Sequence, residues 1–92
     1  MTDEEIIRIA RDFRDGMLED RPSDRMCAMV SLPLAGMLSY FGLPCECESA
    51  EFEWGNHVWI RLADGRVLDA TADQFPDFPP VYLGEAREIH GA

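Results

Sequence analysis

At 92 residues the chain is the size of one small domain with one core. Hydrophobic residues at 47% and charged residues at 28% exclude a disordered, collagen-like or coiled-coil chain. Eighteen acids stand against eight bases, every one an arginine, for a formal charge of −10. Phosphate backbones and anionic lipid would repel such a chain, so neither direct nucleic-acid binding nor membrane binding is expected. A basic protein partner fits the charge, although an acidic surface also serves solubility alone. No apolar run approaches the roughly 18–20 residues that cross a bilayer. The start Met1-Thr2-Asp3-Glu4-Glu5 is acidic where an export signal is basic, and three cysteines are an odd number. Cys45 and Cys47 are separated by one residue, which closes a disulfide ring only with strain. Free thiols in a cytoplasmic protein are expected.

Residues 2–19 read as an amphipathic helix. Thr2 and Glu5 have capping-box spacing, acids fill the first turn, and Ile6, Ile9, Ala10, Phe13 and Met17 form an apolar stripe. Arg21-Pro22-Ser23 breaks the pattern. Ser23 is the expected cap of a second helix that runs to about Tyr40 and closes at Phe41-Gly42. Met26, Cys27, Val30, Leu34, Met37, Leu38 and Phe41 give it a broad apolar face, and Pro33 costs it an interior hydrogen bond.

Beyond Pro44 the period falls towards two. Cys45, Cys47 and Ser49 alternate with Glu46 and Glu48, whereas Phe52 and Trp54 take the opposite parity, which predicts a bulge or turn near Ser49–Glu51. His57–Leu62 and Arg66–Ala70 read as strands around the hairpin signal Ala63-Asp64-Gly65. From Pro76 the Pro-rich tail is expected to run extended over the surface. The order predicts an α+β fold, with two N-terminal helices packed on a small antiparallel sheet of about three strands.

A cysteine nucleophile needs a lowered thiol pKa, a base within hydrogen-bond reach, and a group that orients the base. Cys27 falls about four residues into the second helix, where unpaired amides and the helix dipole favour thiolate. His57 begins one strand of the hairpin and Asp69 ends the other. An oxyanion hole would need the Cys27 amide and one further donor, for which Gln74 is the best side chain. Each residue alone has a plainer use: Cys27 as a small core residue, His57 as a hydrogen-bonding partner, Asp69 as a strand terminator.

The stretch His57-Val58-Trp59-Ile60-Arg61-Leu62, then Asp64-Gly65-Arg66-Val67-Leu68-Asp69-Ala70-Thr71, resembles the corresponding part of the transglutaminase-like superfamily. Cys27-Ala28-Met29-Val30-Ser31 is similar to the nucleophile helix of that superfamily, whose Cys, His, Asp order papain-like enzymes share. Asp69 to Phe75 looks like a run in small bacterial and phage relatives. The resemblance covers about residues 24–75 and implies a transglutaminase-like core. It implies Cys27 as nucleophile, His57 as general base and then acid, and Asp69 as orienter. The implied chemistry is amide hydrolysis, deamidation or acyl transfer on a protein or peptide, with no organic cofactor.

Strand parity offers a separate test. With a two-residue loop at Asp64-Gly65, His57 and Asp69 point to opposite faces. With a three-residue loop, Leu62 pairs with Arg66, Trp59 faces Asp69, and His57 lies diagonally across from Asp69 on one face. A triad requires the second register.

Zinc is the other use of Cys and His. Cys27, Cys45, Cys47 and His57 number four, but the spacing lacks the usual C-x₂-C pattern, so no metal is expected. His90, near the C-terminus, is expected to be solvated. A competing function keeps the fold and drops the chemistry. It is an acidic inhibitor, such as a phage anti-defence (anti-CRISPR-like) protein that blocks a basic nucleic-acid-binding surface. Glu46, Glu48, Glu51 and Glu53 would carry it, since no base lies between Arg25 and Arg61.

Overall fold

The computed structural model describes residues 1–92. Helix α1 is Asp3–Leu18, and its capping box is made as the spacing predicts. Thr2 Oγ1 accepts the Glu5 N–H at 3.2 Å, and Glu5 Oε1 accepts the Thr2 N–H at 3.0 Å. Ile6, Ala10 and Leu18 are buried, with Ile9, Phe13 and Met17 packed at their margin. Arg14 joins the buried face, which the apolar pattern does not announce.

Helix α2 is Cys27–Tyr40. It begins later than expected, and Ser23 is not its cap. The Ser23 hydroxyl donates instead to Asp73 Oδ1 at 2.6 Å, a partner fifty residues away that local spacing cannot reveal. Cys27 is therefore the first helical residue rather than one about four residues in. Its N–H belongs to the unpaired set at the helix head. The far end closes as read, with Gly42 left-handed at φ 92° and the Leu43 N–H bonded to Leu38 O at 3.0 Å.

The strands are β1 Cys45–Phe52, β2 Gly55–Leu62, β3 Val67–Asp69 and β4 Tyr82–Gly84. They form one antiparallel sheet in the order β1-β2-β3-β4, so the fold is α+β with two helices on four strands rather than about three. The fourth strand comes from the Pro-rich tail that reads as a surface segment. Three residues are too short for an alternation to show. The bulge expected near Ser49–Glu51 is absent: pairing runs unbroken from Cys45↔Leu62 to Phe52↔Gly55, and the turn is Glu53-Trp54. The change of parity has another origin. Cys45 and Cys47 lie under α2, with their Sγ atoms 3.6 and 3.4 Å from the Ala35 and Ser31 carbonyls. Phe52, on the other face, stacks on Trp54.

The sheet is covered on both sides. Val30, Leu34 and Leu38 of α2 pack with Ile60, Leu62 and Leu68, and α1 closes the same core. On the opposite face, the short helical turn Glu88–His90 sets His90 against Trp59 and Tyr82. No helix is long and apolar enough to cross a membrane.

Candidate functional site

The β2–β3 register is Ile60↔Leu68 and Arg61↔Val67, and Leu62 N–H bonds to Arg66 O at 2.9 Å. The loop is thus Ala63-Asp64-Gly65, with Gly65 left-handed at φ 93°. This is the register that sets His57 and Asp69 on one face. Both are fully buried. His57 Nε2 lies 2.6 Å from Asp69 Oδ2. Since Asp69 is an acceptor there, Nε2 carries the proton and Nδ1 is left for a second partner.

Cys27 is the thiol that the ring acts on. Contact with the His57 side chain is the leading influence on the Cys27 thiol and holds it below its ordinary 9.0, against desolvation. The backbone amides of Val58 and Ala28 act in the same direction. For His57, burial pulls the pKa down, but the hydrogen bonds and charges of Asp69 and Cys27 outweigh it and push it up to about 9. Burial also pushes Asp69 up, yet His57, His90 and the Thr71 amide together hold it below its ordinary value. Both directions favour the charged forms, thiolate on Cys27 and imidazolium on His57, beside a buried carboxylate.

Asp69 has more donors than the sequence discloses. Oδ1 accepts the Thr71 N–H at 3.1 Å and the Thr71 hydroxyl at 3.4 Å. Oδ2 accepts a second imidazole N–H, from His90 Nε2 at 2.9 Å. His90 is therefore buried, not solvated. The Arg87 N–H donates to its Nδ1 at 3.0 Å, which fixes the proton on Nε2. Nothing local marks His90 for this place. The Asp-x-Thr spacing, by contrast, is that of an Asx turn and could have been read from sequence.

Gln74 stands beside the pair. Its Nε2 donates to Thr71 Oγ1 at 3.1 Å and lies 3.4 Å from His57 Nδ1. Cys27 and Gln74 line one groove of about 660 Å³, bounded also by Arg25, Trp54, Asn56 and Phe75. Trp54 is 57% exposed, stacks on Phe52 with centroids 4.7 Å apart, and meets the edge of Phe75. Phe75 in turn seals one side of His57 at 4.9 Å.

The remaining expectations fare differently. Cys27, Cys45 and Cys47 are free thiols. The zinc set is not assembled, because Cys45 and Cys47 are engaged under α2 while Cys27 and His57 face each other. The one group of three with ligand atoms within 4.8 Å of one another is His57, Asp69 and His90, and hydrogen bonds already join its members. The four glutamates do not form one acidic patch. Glu48 Oε1 is paired with Arg61 at 2.9 Å, and parity sends Glu46 and Glu51 to opposite faces. Compared with family models, with curated proteins and with solved structures, the chain matches none, so the chemistry of these residues is the basis for a functional reading.

Proposed function

We propose that the chain is a cysteine-dependent acyl-transfer enzyme with a transglutaminase-like core, acting on protein or peptide amides. The observation that carries this reading is His57, fixed by Asp69 at 2.6 Å and acting on a Cys27 thiol of lowered pKa at a helix head. Cys27 thiolate attacks the amide carbonyl carbon, forming the C–S bond. The resulting oxyanion lies near the Cys27 N–H, with Gln74 Nε2 as the second donor. The C–N bond breaks as His57 Nδ1–H protonates the departing amine, leaving a thioester on Cys27. Water or an amine then attacks while His57 Nδ1 takes its proton, and Cys27 is released. Asp69 keeps its charge throughout and holds the ring tautomer.

The test uses p-nitrophenyl acetate, which can acylate a thiolate without substrate recognition. The expected result is a burst of p-nitrophenolate with one acetyl group on Cys27 by mass spectrometry. It is lost in Cys27→Ser and reduced at least tenfold in His57→Ala. Acylation of Cys45 or Cys47 in preference, or a Cys27 that reacts only near the ordinary thiol pKa, would refute the assignment.

A further inference from the structure

Within the acyl-transfer reading above, on which this step rests, we infer that Thr71 is the positioning residue of the oxyanion donor. Its hydroxyl, anchored on Asp69, turns the Gln74 side chain so that the NH₂ end, and not the carbonyl end, is presented to the groove. A glutamine amide donates at one end and accepts at the other, and rotation about its terminal bond exchanges the two with little change of shape. Only the donor end stabilises an oxyanion; the other end repels it.

Thr71 selects the end. Asp69 is a carboxylate ringed by donors, so it takes the single hydroxyl proton of Thr71 at 3.4 Å. Lone pairs alone are then left on Thr71 Oγ1, and they accept the Gln74 Nε2–H at 3.1 Å. A reversed amide would set its carbonyl oxygen against those lone pairs. Thr71 stands directly before the helical turn Ala72–Gln74, where a threonine hydroxyl ordinarily caps the turn, yet its side chain makes no cap bond. The hydroxyl is committed to Asp69 and Gln74 instead. Gln74 is tied to Thr71 twice, since its backbone N–H also donates to Thr71 O at 3.2 Å. Thr71 is fully buried, whereas Gln74 is half-buried and lines the groove with Cys27. One carboxylate thereby orients both parts of the machinery: the base through Oδ2, and the oxyanion donor through Oδ1 and the Thr71 hydroxyl.

The experiment compares Thr71→Val, which keeps the shape and loses the hydroxyl, with Thr71→Ser, which keeps the hydroxyl. Two reactions of Cys27 are read. Acetylation by p-nitrophenyl acetate passes through an oxyanion, whereas alkylation by iodoacetamide displaces iodide and builds none. Thr71→Val should slow acetylation by about tenfold or more while the alkylation rate and its pH midpoint hold, and Thr71→Ser should recover acetylation. Gln74→Ala should slow the native chain and add nothing further in Thr71→Val. Gln74 is the chain's only glutamine, so its side-chain amide protons give a second measurement by NMR that needs no chemistry. In the native chain they should show Overhauser contact with Thr71, and in Thr71→Val they should shift and exchange faster with water. Equal losses in both reactions, a Thr71→Ser as slow as Thr71→Val, or amide protons indifferent to Thr71→Val would overturn the assignment. A native Cys27 left unacetylated, with amide protons that still answer to Thr71→Val, would strike the acyl-transfer reading and uphold the Thr71–Gln74 link.

Discussion

Replacing Asp69 by Asn tests the electrostatic logic of the site at its base. Both oxygens of Asp69 accept and neither donates: Oδ2 faces two imidazole N–H groups and Oδ1 faces the Thr71 amide and hydroxyl. An Asn amide must turn its NH₂ towards one of these pairs. It either opposes two histidine N–H groups or opposes the Thr71 N–H. His57 can escape the clash only by moving its proton to Nδ1, which then points an N–H at a neutral thiol and removes the base.

The size of the effect follows from His57. Its rise from 6.5 to about 9 corresponds to ~3 kcal/mol of preference for imidazolium, with the Asp69 hydrogen bond the first of the groups that raise it. Without the carboxylate, burial is opposed by Cys27 alone, so imidazolium is disfavoured and the thiolate loses its partner. The assay is the rate of Cys27 alkylation by iodoacetamide against pH, followed by mass spectrometry. Near pH 7 the variant should react at least about tenfold more slowly than the native chain and regain rate only towards the ordinary thiol pKa. A variant with unchanged near-ultraviolet circular dichroism that alkylates Cys27 within twofold of the native rate would refute the reasoning.

Two further outcomes are expected. A raised His57 pKa stabilises the fold below pH 6.5 and is lost as pH climbs through about 9, whereas the lowered Cys27 pKa stabilises above 9.0 and is lost as pH falls. Cys27→Ser removes the thiolate and its share of the His57 rise but leaves that of Asp69, so urea midpoints should fall as pH rises from 6.5 over a window that ends below about 9. His90→Phe removes one donor from Asp69 Oδ2 and concentrates the carboxylate on His57, so the His57 ring titration seen by NMR should move up, while His90→Gln, which can still donate, should leave it in place. A downward movement in His90→Phe would show that His90 only packs.

Much of this was legible because it depends on short-range periodicity. The α1 capping box, the Gly42 closure and the β2–β3 parity each involve residues within one turn or one hairpin. His57 and Asp69 meet because both parity and loop length lie in the few residues between them. What escaped is non-local. His90 reaches Asp69 from twenty-one residues away through a tail whose only strand has three residues. Ser23 looks like a cap in sequence because the alternative acceptor, Asp73, is distant.

Asp73 also explains why α1, which places no side chain in the groove, bears on the site. Arg14 of α1 is buried and paired with Asp73 Oδ2 at 3.1 Å, and Ser23 before α2 shares that carboxylate. Asp73 lies in the helical turn Ala72–Gln74, directly before Gln74 and two residues after Thr71. One carboxylate thus fastens the first helix and the approach to α2 onto the turn that carries both Thr71 and Gln74. Arg14 is buried while Asp73 is exposed, so removing Asp73 leaves a buried guanidinium without its carboxylate, whereas removing Arg14 returns Asp73 to solvent. Cys27 arrives from one side of that tie and Gln74 from the other. Their separation across the groove is set by a contact that touches neither of them.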